Sequence, residues 1–232
     1  MQLIAIDGPV GAGKSTIAKL LAGRLGYAYL DTGAMYRAIG WKVYTTDASL
    51  SEDSLEKLCD TTRLDIELTD SQQRVIVDGK DITDEIRTPE ISRMSSVVSA
   101  YASVRRYLVK LQRDTGISWA KRYGGVIAEG RDMGTVVFPD AAFKFYIDAD
   151  IVERGKRRWK ELRYKGIETE LSETVKGIEE RDANDKGREI DPLRKADDAV
   201  VIDTTDLSLD MVVEKILGLI NNKSKIKNQK SK

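Results

Sequence analysis

Leu3 to Gly26 reads LIAIDGPVGAGKSTIAKLLAGRLG, and the meaning of this stretch decides the fold. Gly8, Gly13, Lys14 and Ser15 fit the pattern G-x-x-x-x-G-K-[ST], with the apolar run Leu3-Ile4-Ala5-Ile6 before it and Ile17, Leu20, Leu21 and Leu25 at helical spacing behind it. A strand that turns through glycines into a helix is the context the pattern requires. Glycines at 8, 11 and 13 let the backbone turn tightly and aim its N–H groups inward, and a helix starting near Lys14 adds the positive end of its dipole. A polyphosphate is the matching ligand. Lys14 is placed to neutralise β- and γ-phosphate charge, Ser15 to ligate Mg²⁺, and Pro9, Val10, Ala12 and Thr16 complete the candidate cradle for a nucleoside triphosphate. The competing explanation, a chance glycine turn before an ordinary core helix, is weakened by the flanking strand and helix.

Composition narrows the chemistry. The 232 residues are enough for one domain, or one domain with insertions, around a real core. Lys+Arg and Asp+Glu are both 38, so the basic excess that marks nucleic-acid binders is missing and no such partner is expected. Cys59 is the only cysteine and there is no histidine, which removes disulfide frameworks, cysteine or histidine metal sites and Ser-His or Cys-His nucleophiles. Catalysis is left to Lys, Arg, Asp, Glu and backbone amides. No run approaches the roughly 18 apolar residues of a membrane span, and MQLIAID lacks the regions of a signal peptide, so a cytoplasmic chain without membrane contact is expected. The lysine-rich segment 222–232 reads as a solvated, disordered tail.

Beyond the first helix, Tyr27 to Leu30 is a short apolar stretch, and Asp31-Thr32-Gly33 suits a strand-to-helix turn before a helix through Tyr44. Ser49 and Glu52 have capping-box spacing for the next helix. From Arg63 to Thr83 the pattern alternates, with RLDIEL on one strand and an Asp78-Gly79 turn in RVIVDGKDIT, which predicts a small antiparallel unit. Thr88-Pro89-Glu90 opens a helix, and Val104, Leu108, Leu111 and Trp119 predict a longer one from Ser103 towards Lys121. GVIAEG, AFKFYID and AVVID are further buried-strand candidates. Strands alternating with helices imply an α/β fold with a mainly parallel sheet covered on both faces, and active residues where strands end.

One region is rich in cations. DIVERGKRRWKELRYKG carries Arg154, Arg157, Arg158 and Arg163, and EERDANDKGR carries Arg181 and Arg188 with Asp182 and Asp185 between. A solvated basic helix face is the common meaning of such a run. Two arginine-rich helices around a loop at Gly166 also suit a lid that closes over phosphates, since phosphoryl transfer depends on positioning and charge stabilisation.

IDGPVGAGKST, LDTGAMYR, EIRTPEIS, AEGRDMGTVVFPDA and ERDANDKGREIDPL together resemble the bacterial cytidylate kinases, nucleoside monophosphate kinases that phosphorylate CMP and dCMP with ATP. The resemblance extends over the chain up to the lysine tail. It implies a P-loop kinase fold, a three-layer sandwich on a central parallel sheet of five strands. The core is expected over 1–62, 98–155 and 187–221, an inserted monophosphate-binding unit over 63–97, and a helical lid over 156–186. It further implies that Thr32, Arg37, Arg131 and Arg188 hold the acceptor phosphate, and that Ser96, Arg105 and Asp132 read cytosine. Asp185 and Arg181 are implied at the ribose, and Lys14, Arg131, Arg157, Arg181 and Arg188 in catalysis with Mg²⁺ as cofactor. Arginine forks suit a dianionic phosphate, and a carboxylate beside an arginine suits the amino donor and ring acceptors of cytosine. Asn184 stands where the family commonly has arginine, which puts one lid contact in question. A monomer acting on ATP and CMP or dCMP is expected. The alternatives are a kinase with another acceptor such as UMP, against which the Ser96, Arg105 and Asp132 set argues, and a nucleotide-dependent switch, for which no guanine-specifying N-K-x-D motif is present.

Overall fold

The computed structural model describes residues 2–69 and 72–230, with 223–230 described in backbone alone. Strand β1 (Gln2–Asp7) leads through the glycine-rich loop into α1 (Lys14–Leu25), followed by β2 (Ala28–Asp31), α2 (Thr32–Thr46) and α3 (Glu52–Thr61). A separate three-stranded antiparallel sheet follows, β3 (Leu64–Thr69), β4 (Gln72–Val77) and β5 (Lys80–Asp81), then α4 (Pro89–Val98) and α5 (Ala102–Arg122). The chain returns to the main sheet with β6 (Gly125–Gly130) and β7 (Phe143–Asp148), leaves it through α6 (Ile151–Tyr164) and α7 (Leu171–Gly187), and closes with β8 (Val200–Asp203) and α8 (Leu209–Lys230).

The main sheet runs β2-β6-β1-β7-β8, every pair parallel. Its two faces bury different clusters. Ala5, Leu30, Val126 and Ala128 pack against α2 and α5, while Ile4, Ile6, Ile127, Phe145 and Ile202 pack against α1 and α8. This double burial explains why the strands read as unbroken apolar runs. The register sets Asp7 of β1 beside Gly130 of β6, and Asp31 of β2 beside Glu129, so three strands end level. The loops that follow, opening with Gly8, Thr32 and Arg131, therefore share one rim, where parallel sheets place their ligands.

Local chemistry accounts for the turns. Gly8 has φ 148°, and a Cβ there would fall on the backbone carbonyl of Ile147, so the loop can leave β1 only through glycine. Asp78 (φ 52°) and Gly79 (φ 85°) form the two-residue turn joining β4 to β5, where two positive φ values match the twist of the hairpin. Thr88 caps α4 by accepting from Ile91 N, with Pro89 in the first turn as the sequence predicts. The capping-box expectation at Ser49 is corrected. Ser51 is the cap of α3, accepting from Ser54 N at 3.3 Å. Glu52 instead reaches across to α5 and accepts from Ala102 N (2.7 Å) and Ser103 N (3.0 Å). A carboxylate is favoured at that helix start because free N–H groups and the dipole both attract it. The tail expected to be disordered over 222–232 meets a helix drawn to Lys230, and residues 231–232 lie outside the described residues. Among the described residues no helix is long and apolar enough to cross a membrane.

Candidate active site

One cleft of about 1540 Å³ opens along the rim of the main sheet, walled by the small sheet and α4 on one side and by α6 and α7 on the other. Of the residues singled out from sequence, Val10 to Thr16, Thr32, Arg37, Ser96, Arg105, Arg131, Asp132, Arg157, Arg181, Asp185 and Arg188 all line it. Gly8 does not, because it lies beneath the loop against Ile147. Pro9 contributes its carbonyl, which accepts from Lys14 Nζ at 2.6 Å. Asn184 is exposed and absent from the lining, and Arg154, Arg163 and Asp182 also lie outside it.

At the donor end Lys14 is 5% exposed. Burial, with repulsion from Arg131, lowers its ammonium from 10.5 to about 7. Folding is therefore opposed by the cost of holding the buried ammonium below pH 7. Between pH 7 and 10.5 the unfolded chain binds more protons, so this contribution makes stability rise with pH across that window. A triphosphate reverses the balance by favouring the ammonium. At pH 8 MgATP binding is expected to take up a proton, seen calorimetrically as a heat that depends on buffer ionisation. At pH 6 that dependence, and at either pH in Lys14→Met, should vanish. Equal heats in two buffers at pH 8 for the unaltered chain would contradict the lowered value.

Ser15 presents its hydroxyl at the start of α1, and Tyr29 on β2 links it to Glu129 on β6: the phenol meets the Ser15 side chain and donates to Glu129 Oε1 at 2.8 Å. The tip of the loop is gripped from the other wall. Val10 N donates to Asp182 Oδ1 (3.3 Å), and Val10 O accepts from Arg154 Nη1 (3.0 Å), which also pairs with Asp182. Two members of the charge run are thus a buried ion pair clasping the loop. Arg157 is docked on the segment after β8, donating to Thr204 Oγ1 (3.0 Å) and Thr204 O (2.7 Å). Arg163 lies over the Trp159 ring, and Arg158 pairs with Glu161.

At the other end Asp31 caps α2 by accepting from Ala34 N and pairs with both Arg37 (2.8 Å) and Arg87 (3.2 Å). Thr32 Oγ1 donates to Glu129 O at 2.6 Å. Arg131 Nε donates to Asp185 Oδ2 (2.8 Å), and Arg188 pairs with the other oxygen of Asp185 (3.2 Å). Burial works to raise the Asp185 carboxyl, but Arg131, Arg188 and Arg181 outweigh it and hold it below the ordinary carboxylate range. Arg181 is lowered to about 10 by burial and by Arg131, and its buried Nε has no hydrogen-bond partner among the described residues. Arginines crowded this way are balanced by an anion. Deeper in, Arg105 and Asp132 form a tight ion pair, each 2% exposed, with Ser96 of α4 facing the same space.

Several supporting residues escaped the sequence. Asp7 accepts from Met133 N (2.8 Å) and Gly134 N (2.7 Å) and so fixes the turn that carries Arg131 and Asp132. Burial pushes its carboxyl up to about 7 against those two bonds. Ser99, the C-cap of α4, accepts from Arg105 through its carbonyl and from Arg188 through its hydroxyl. Asp7 and Glu129 did leave a trace, an acidic residue at or near the end of an apolar strand. Arg87 lies in the EIRTPEIS segment but was given no role there, and Ser99 left no trace.

A glycine-rich loop carrying a buried lysine, opposite arginines at the rim of a five-stranded parallel sheet, defines a P-loop phosphotransferase of the nucleoside monophosphate kinase class. A gluconokinase from Sinorhizobium meliloti 1021 has a similar fold, with TM-score 0.50 and 13% identity over 98% of this chain and 97% of that one. The family model for cytidylate kinase matches residues 4–222. A cytidylate kinase of Geobacter sulfurreducens is 47% identical over 224 residues, 96% of this chain and 94% of that protein. One from Caldanaerobacter subterraneus is 48% identical over 223 residues, 96% of each. The chain belongs to the cytidylate kinase family.

Proposed function

We propose that this protein transfers the γ-phosphoryl group of ATP to CMP or dCMP, giving ADP and CDP or dCDP, in the cytoplasm and as a monomer. The observation that carries the reading is one continuous cleft with the loop lysine at one end and a buried carboxylate–guanidinium pair at the other, separated by Arg131, Arg181 and Arg188.

An oxygen of the CMP phosphate attacks the γ-phosphorus, and the bond from phosphorus to the β,γ-bridging oxygen breaks. The nucleophile is already an anion, so no proton has to be removed, which fits a chain without histidine. The loop amides and Lys14 hold the donor phosphates. Thr32, Arg37 and Arg188 hold the acceptor phosphate, and Arg131 and Arg181 stabilise charge on the group in flight. Asp185 keeps Arg131 and Arg188 facing the cleft and offers a carboxylate to the ribose. Ser96, Arg105 and Asp132 receive the base, Asp132 accepting from the cytosine amine. Arg157 supports the donor side through the segment after β8.

Ser15 and Glu129 are the residues that would hold Mg²⁺, which would supply charge neutralisation to the donor phosphates. The fit is a hydroxyl and one carboxylate joined through Tyr29, with no cluster of three or more acidic ligands among the described residues. That donor set is right for an ion carried largely by nucleotide oxygens and water. Residues 63–97 serve as the monophosphate-binding unit and 156–186 as the lid over a core formed by 1–62, 98–155 and 187–221.

The test is ADP release from MgATP with CMP, dCMP, UMP, AMP and GMP offered singly. Turnover with CMP and dCMP alone supports the reading. Absence of turnover with CMP sinks it.

A further inference from the structure

Between α7 and β8 the chain folds back over the acceptor end of the cleft, and Asp191 stands there with φ 48°. Only three described non-glycine residues have positive φ. Asp47 ends α2 and Asp78 turns a hairpin, both places that call for this conformation. Asp191 serves neither purpose, since α7 is already capped at Arg188. A residue held in a sparsely populated conformation persists where its surroundings over-determine it, and such positions cluster at functional sites.

The surroundings are specific. Leu193 N donates to Asp185 O at 2.7 Å, tying the loop to α7, and Leu193 is buried. So anchored, Asp191 Oδ2 accepts from Arg105 Nε at 2.9 Å. Arg105 is engaged at three nitrogens: Nε by Asp191, Nη1 by Ser99 O (3.2 Å) and Nη2 by Asp132 Oδ2. Asp132 is therefore met through one oxygen only.

We propose that Asp191 is a positioning residue for acceptor-base selection, holding Arg105 so that it engages Asp132 through one oxygen and leaves Oδ1 to accept from the base. The proposal rests on the reading of Arg105 and Asp132 as the cytosine site. Guanidinium and carboxylate prefer a two-pronged pairing. Without Asp191, Nε is released and the fork can close on both oxygens of Asp132. The carboxylate that should accept from the cytosine amine is then occupied, and the contrast with uracil, which presents an oxygen there, fades.

The backbone permits a clean test. Asp191→Gly removes the carboxylate while accepting φ 48° without strain. Asp191→Asn also tolerates that conformation and keeps an acceptor for Nε. The quantities read are kcat/KM for CMP and for UMP, KM for ATP, and the melting temperature. Asp191→Gly is expected to lower the CMP-to-UMP ratio of kcat/KM roughly tenfold, the scale of one hydrogen bond to a charged group, with the ATP KM within about twofold. Asp191→Asn should recover most of the ratio. An unchanged ratio in Asp191→Gly, or KM values for CMP and ATP that rise together, overturns the proposal. Asp132→Asn run in parallel separates the failures. If it shifts the ratio while Asp191→Gly does not, the cytosine site stands and Asp191 has no part in it. If the unaltered enzyme shows no preference for CMP, the cytosine site itself falls and the proposal falls with it.

Discussion

Lys14→Ala is expected to lower kcat by about 10³-fold, the upper range for removing one preorganised donor to developing charge, while the Kd for CMP stays within about threefold. The magnitude follows from where the ammonium sits. It is buried, fixed on the Pro9 carbonyl at 2.6 Å, and flanked by Arg131 and Glu129, so little reorganisation is required when charge shifts onto the β,γ-bridging oxygen. In such a setting a point charge acts far more strongly than in water. Alanine leaves the loop amides and the glycine conformations in place, so the site loses a charge and keeps its shape. Single-turnover rates with saturating MgATP and calorimetric CMP binding separate the two effects. A loss in kcat below tenfold would remove Lys14 from transition-state stabilisation.

Asp132→Asn is expected to cut the CMP-to-UMP ratio of kcat/KM by about 10²-fold, chiefly by admitting UMP. A carboxylate can only accept, so it welcomes the amine of cytosine and repels the O4 of uracil, whereas an amide can turn its donor towards O4. The substitution should be tolerated structurally. Arg105 keeps Asp191 as a carboxylate partner, and the turn is held through Met133 N and Gly134 N, which donate to Asp7 and not to the side chain at 132. A melting temperature within a few degrees of the parent, together with an unmoved ratio, would assign base reading to other groups.

What could be read from sequence divides by range. The strand, glycine turn and helix over Leu3 to Gly26 were legible because the glycine spacing and the apolar periodicity that mark them lie within the segment itself. The Asp78-Gly79 turn and the Thr88-Pro89 helix start were legible for the same reason. The sheet order β2-β6-β1-β7-β8 was not, because parallel neighbours are chosen by crossover packing, which no short pattern records. Even a cap went astray: Ser49 and Ser51 are both chemically fit, and the Glu52 that completes the box spacing for Ser49 is committed to α5 fifty residues on. The same limit governs the site. Thr32, Arg37, Ser96, Arg105 and Asp132 were reached through family resemblance alone, and their own neighbourhoods read as ordinary turn and helix. Arg154 and Asp182 looked like members of a solvated run, since charge spacing along a helix cannot reveal that two such residues will be buried against each other.

The clasp these two form on Val10 also sets the mechanics of the wall above the donor loop. It fastens the base of α6 and the distal part of α7 to the glycine-rich turn after β1, and next to it Gly155 lies so close to Val175 that a Cβ would strike it. This is a fulcrum. Ten residues of α6 follow Arg154, about 15 Å at 1.5 Å per residue, held first by Arg157 on Thr204 and further out by Trp159 bonded to Thr169 across the connecting loop. Trp159 stands on this stretch, so its fluorescence is expected to change on addition of MgATP and CMP if the wall closes over them, and an unchanged emission would count against closure.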